Sequence, residues 1–165
     1  MSERALVCVV DDDDAVRLSI EMLIQSIGFD TRAYPDALSL LADGATLALA
    51  NCIVLDVRMP GLSGLAAQER LLQRGAEVPV IFVTGHGDVP MVVKAMRNGA
   101  VDFIQKPFNE QRLLDRIQEV VRADLHKRAL RSDDATVEAR IASLTPRERD
   151  VLEGIDRKST RLNSS

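Results

Sequence analysis

Short apolar runs alternate with helix-period segments to about residue 130, and this alternation restricts the fold more than any other feature. The runs are Ala5 to Val10, Phe29 to Tyr34, Cys52 to Leu55, Val78 to Val83 and Val101 to Ile104. They have strand rather than helix length. Between the first two, Val16, Ile20, Leu23, Ile24 and Ile27 share one helical face, and Gly28 follows as a stop. Pro35 is expected to open a second helix, where its fixed φ and missing donor cost nothing. Gly64 to Arg74 reads as a third helix and Asp88 to Asn98 as a fourth, with Val89, Val92, Val93 and Met96 as its core stripe. A fifth starts near Asn109 and carries Leu113, Leu114, Ile117, Val120 and Val121 on its apolar face. Five strands alternating with five helices imply an α/β fold, a parallel sheet covered by helices.

Charge sits where three of those runs end. Asp11 and Asp12 follow the first, Asp56 the third, and Lys106-Pro107 comes just after the fifth. In a parallel sheet these carboxyl ends share one edge, where open α/β sheets bind ligands. Two carboxylates about 4 Å apart repel by roughly 4 kcal/mol at an effective dielectric of about 20, so three together call for a cation or a proton. Mg2+ and a phosphate are the natural guests. Plainer roles compete: an aspartate before a helix can simply cap it, worth roughly 0.3–1 kcal/mol, and we read Asp13 and Asp14 that way. A single Asp after a buried strand is often a turn former. His86 and His126 lack spaced partners and read as surface residues.

A formal charge of −4 and a pI near 5.2 argue against a nucleic-acid-binding surface across the whole chain, although a small basic module can hide in that sum. Cys8 and Cys52 lie inside apolar runs and read as small buried hydrophobes, which suits a reducing intracellular compartment. The N-terminus lacks a signal-peptide pattern, and the longest mostly apolar stretch, Ala45 to Leu55, falls far short of the ~20 residues of a bilayer span. A soluble, cytoplasmic protein is expected. After Arg122, residues 123–142 turn highly charged and read as a helical extension and linker. Thr145, Pro146 and Glu148 form a capping-box start to a further helix carrying Val151, Leu152 and Ile155.

Taken in order, four motifs make the chain resemble the receiver domain of two-component response regulators, particularly the FixJ-like group. They are Val-Val-Asp-Asp at 9–12, Leu-Asp-Val-Arg-Met-Pro-Gly at 55–61, Thr-Gly-His-Gly-Asp-Val-Pro-Met at 84–91 and Asp-Phe-Ile-Gln-Lys-Pro-Phe at 102–108. The resemblance covers residues 5–122. It implies a flavodoxin-like (CheY-like) doubly wound sheet of strand order 2-1-3-4-5. It also implies that Asp56 accepts a phosphoryl group from a histidine kinase. Asp11, Asp12 and Asp56, with the backbone carbonyl of Arg58, would hold Mg2+. Lys106 and Thr84 would contact phosphoryl oxygens, Pro107 would follow a cis peptide, and Phe103 would be the switch aromatic. The implied output is a rearrangement of the helix 4/strand 5 face. A phosphorylation-dependent homodimer through residues 88–104 is expected, with Met91 and Ala95 on the exposed side of the fourth helix.

Residues 143–155 resemble the start of a LuxR-type helix-turn-helix domain, and residues 156–165 resemble neither of the helices that would follow. A regulator cut short is therefore expected, with DNA as a partner only of an intact form. Two other readings stay open. One is a stand-alone receiver acting through protein contacts. The other is a haloacid-dehalogenase-type Mg2+ phosphatase, whose pattern asks for an acid two residues after the nucleophile, where this chain has Arg58.

Overall fold

The computed structural model describes residues 4–85 and 87–143, with side chains to residue 131. Five parallel strands, β1 (Leu6–Val10), β2 (Asp30–Tyr34), β3 (Cys52–Leu55), β4 (Val80–Thr84) and β5 (Asp102–Gln105), form one sheet in the order 2-1-3-4-5. The connecting helices are α1 (Asp14–Ser26), α2 (Ala37–Ala42), α3 (Gly44–Leu49), α4 (Gly64–Gln73), α5 (Val89–Arg97) and α6 (Glu110–Ser143). Residues up to Leu125 make one compact unit, and the rest of α6 belongs to a second. No helix among the described residues is long and apolar enough to cross a membrane.

Strand side chains alternate between two cores, as the pleat requires. Val7, Val9, Cys52, Val54, Ile81, Val83 and Ile104 pack with Ile20 and Ile24 of α1 and with Leu113, Ile117, Val120 and Val121 of α6. Cys8, Val10, Ile53, Leu55 and Phe82 pack on the other face with residues of α2 to α5. The two cysteines thus lie on opposite faces. Burial pushes the Cys8 thiol up to about 12 and Cys52 higher still, so both are inert apolar fillers.

The sequence expectation of one helix after β2 needs correction. The segment breaks into α2 and α3 at Asp43, whose carboxylate accepts from the Thr46 N–H at 3.2 Å, the Thr46 hydroxyl at 2.8 Å and the Tyr34 hydroxyl at 2.8 Å. That side chain caps a new helix instead of continuing the old one. Nor does Pro35 occupy the first helical position. Asp36 caps α2, accepting from Ser39 N–H at 2.7 Å.

The fourth helix differs more. Of the stripe expected in the core, Val89, Val93 and Met96 are exposed, while Ala95 is fully buried and Met91 packs against the core. Both stripes have helical spacing, so period alone does not choose between them. Close approach does: Gln68 of α4 donates to the Ala95 carbonyl at 2.9 Å, which requires a small residue where the helices meet. Ala95 is the one buried residue of α5.

Gly64 opens α4 hard against β3. A Cβ there would lie 2.1 Å from the backbone oxygen of Asp56, and the Gly64 N–H donates to the Val57 carbonyl at 2.7 Å. Gly44 opens α3 with nothing within 4 Å of an added Cβ. Gly64→Ala is therefore expected to lose about 1–3 kcal/mol by overpacking. Gly44→Ala should be neutral or gain up to about 1 kcal/mol. Urea denaturation of both variants checks the contrast.

Candidate functional site

The sheet's own hydrogen-bond ladder carries the chemistry to its edge. Past the last paired residues, Asp56 N–H donates to the Val10 carbonyl at 3.0 Å, Lys106 N–H to the Thr84 carbonyl at 2.8 Å and Asp11 N–H to the Tyr34 carbonyl at 3.3 Å. Each functional residue is thus held by backbone before its side chain makes a contact. The Lys106–Pro107 peptide is cis.

Carboxylate oxygens of Asp11, Asp12 and Asp56 lie within 4.8 Å of one another. That spread is of the order of one coordination sphere, whose opposite ligands stand ~4.2 Å apart at ~2.1 Å Mg–O bond lengths. Asp11 and Asp56 are buried and Asp12 is exposed. Lys106 Nζ stands between the buried pair, 2.8 Å from Asp11 Oδ2 and 3.7 Å from Asp56 Oδ2. The other Asp11 oxygen accepts the Asp13 N–H at 2.9 Å. Asp56 Oδ1 is buried without a hydrogen-bond partner.

Burial holds the Asp56 carboxyl above the usual carboxylate range. The Thr84 hydroxyl and the Lys106 ammonium pull it down, and Asp11 and Asp12 push it up. A buried carboxylate with a spare oxygen, flanked by two more, is an incomplete charge balance, and a hard divalent cation with oxygen ligands would complete it. The residues present fit Mg2+ on that ground. Arg58 is exposed, and its side chain is no part of the carboxylate cluster.

Thr84, at the end of β4, is fully buried. Phe103 on the edge strand β5 turns its ring inward, 5.8 Å from the Phe82 ring. It is packed against the α2–α5 core. Gly87 makes the room: a Cβ there would meet Phe103 Cε1 at 2.6 Å and the Thr84 methyl at 3.6 Å. Thr84, Gly87 and Phe103 therefore form one contact line from the carboxylates toward α5.

Asp13 is the N-cap of α1, accepting from the N–H groups of Ala15 and Val16, and Asp14 pairs with Arg17. Asp13 acts as the capping reading expected, whereas Asp14 is the first residue of α1 and is engaged by Arg17. His126 is exposed. His86 and the helix-turn-helix resemblance beyond Ser143 lie outside the described residues. Sequence reasoning missed Gly64, Gly87 and Arg17. Glycine and arginine at those positions carry no periodic signal, and their value lies in contacts made only after folding.

Comparison with known proteins agrees with this fold. The response regulator receiver domain family matches residues 7–118. The transcriptional regulatory protein FixJ of Azorhizobium caulinodans is 46% identical over 157 residues, which are 93% of this chain and 72% of that protein. Nodulation protein W of Bradyrhizobium diazoefficiens is 41% identical over 151 residues, 92% of this chain and 66% of that protein. Among solved structures, the response regulator StyR superposes with a TM-score of 0.79 at 38% identity, covering 94% of this chain and 78% of that one. FixJ-N superposes with a TM-score of 0.67 at 36% identity, covering 73% of this chain and 96% of that one. The chain spans 66% of the length of one of these regulators and 72% of the other. It belongs to the response regulator receiver domain family, with relatives of the FixJ type.

Proposed function

We propose that this chain is the phosphoacceptor of a cytoplasmic two-component phosphorelay, with residues 5–122 as its receiver and Asp56 as the accepting residue. The observation that carries the reading is the buried Asp56 oxygen without a partner, beside two further carboxylates and one ammonium. An Asp56 oxygen attacks the phosphorus of a phosphohistidine on a histidine kinase. The P–N bond breaks, its electron pair leaves with the imidazole, and an acyl phosphate remains on Asp56. Asp11, Asp12 and Asp56, with the Arg58 carbonyl, would hold Mg2+. The chemistry that ion supplies when bound is neutralisation of charge on the phosphoryl oxygens. Lys106 leaves Asp11 to pair with one phosphoryl oxygen, and the Thr84 hydroxyl donates to another.

The output reading rests on the contact line through Gly87. Movement of Thr84 toward the phosphoryl group changes the space available to Phe103, and the ring's packing biases α5. The apolar stripe of Val89, Val93 and Met96 is then the surface for a symmetric homodimer, rimmed by Arg97 and by Lys94, whose ammonium lies 3.0 Å from Glu69. This replaces the expectation that Met91 and Ala95 line the contact. In an intact regulator the dimer would set two DNA-binding domains in register, and control of transcription belongs to that form.

Acetyl phosphate with Mg2+ should add one phosphoryl group to the wild type and none to Asp56→Asn, read by mass spectrometry. Unchanged phosphorylation of Asp56→Asn contradicts the site assignment. Light scattering at equal concentration should show a mass increase on phosphorylation that Val93→Glu abolishes without reducing phosphoryl incorporation. A phosphorylated dimer indifferent to Val93→Glu removes the α5 face from the reading.

A further inference from the structure

Arg17 lies in the first turn of α1, and its side chain is only 18% exposed. One guanidinium nitrogen, Nη1, donates to the main-chain carbonyl of Asp11 at 2.8 Å. The other, Nη2, pairs with the Asp14 carboxylate. Asp11 is therefore gripped at three points: its carbonyl by Arg17, Oδ1 by the Asp13 N–H and Oδ2 by the Lys106 ammonium. Asp12, the next residue, is exposed.

A cation beside a cation site needs a reason. By charge alone the guanidinium, whose Nη1 lies 2.8 Å from the Asp11 carbonyl, opposes a divalent ion. Its geometry does the opposite. The peptide joining Asp11 to Asp12 is planar, so a donor fixed on the Asp11 carbonyl also fixes the direction of the Asp12 N–H and the point from which Asp12 Cα departs. The fork is braced at its far end by Asp14, which α1 itself holds in place.

We infer that Arg17 is a positioning residue for the cation site, orienting the Asp11–Asp12 peptide so that the Asp12 carboxylate faces Asp56. The inference rests on the Mg2+ reading above. It assigns Arg17 no contact with the ion or with the phosphoryl group. Partners that orient metal ligands from behind typically carry about 10-fold or more in metal affinity.

The two effects have opposite signs, which makes the test sharp. Calorimetric titration with MgCl2 at physiological salt, on the wild type, Arg17→Gln and Arg17→Lys, separates them. Positioning predicts that Arg17→Gln binds Mg2+ about 10-fold more weakly, although a repelling charge has been removed. Arg17→Lys, which keeps the charge and one donor but loses the braced fork, should fall between the two. Circular dichroism melts taken alongside should show both variants folded, with transitions near that of the wild type. Unchanged or tighter binding in Arg17→Gln, or wild-type affinity in Arg17→Lys with loss only in Arg17→Gln, overturns the positioning role. Absence of Mg2+ binding by the wild type overturns the metal reading itself and this inference with it. Wild-type binding with unaffected variants overturns only the role of Arg17.

Discussion

Everything at the sheet edge depends on one under-satisfied group, the Asp56 carboxylate. Its backbone N–H is tied to β1, its side chain is buried, and one of its oxygens has no partner. A buried acceptor left unpaired costs about 1–3 kcal/mol, and a charged one costs more. Lys106 offsets part of this, but at 3.7 Å from Asp56 against 2.8 Å from Asp11 it serves Asp11 first. The unmet remainder is what would make the site receptive: on the proposed function, a cation and a phosphoryl group would supply the partner that the free Asp56 oxygen lacks.

The same contacts separate a half of the site tied by backbone hydrogen bonds from a half tied by few of them. Asp11, Asp56 and Lys106 extend a hydrogen-bonded ladder and are braced by Gly64 and Arg17 from outside it. By contrast α5 buries a single residue, and its polar ties to α4 are the Gln68–Ala95 hydrogen bond and the exposed Lys94–Glu69 pair at 3.0 Å. A helix held by so little is easily biased. Between the two halves stand Thr84, Gly87 and Phe103, where one absent Cβ decides whether the aromatic ring fits inside.

Much of this is legible in the sequence. Strands show as short apolar runs because both sheet faces are covered, and Asp11, Asp12, Asp56 and Lys106 stand out because charge directly beyond a buried strand is costly without a purpose. The strand order came from family resemblance, since alternation alone permits several. What stayed hidden depended on contacts between elements. Helical period alone points the more hydrophobic of two adjacent α5 faces inward, whereas α4 meets the helix at Ala95, which is the residue buried. The α2–α3 break turned on Asp43 finding Tyr34 and Thr46, and Tyr34 is a partner from a preceding strand that no local window reports.

The central claim is that the fold carries an unfavourable charge at Asp56 in order to bind, and thermal unfolding of the wild type and Asp56→Asn, with and without Mg2+, tests it most directly. Burial raises the Asp56 carboxyl, so its ionisation weakens the folded state as pH climbs above the ordinary carboxyl range, and at neutral pH that cost is in force. Without Mg2+, Asp56→Asn should melt higher than the wild type, by roughly 2–4 °C for each kcal/mol relieved. Mg2+ should then raise the wild type more than the variant. Asp56→Asn melting at or below the wild type in Mg2+-free buffer, as expected for the loss of an ordinary buried polar contact, would contradict the account.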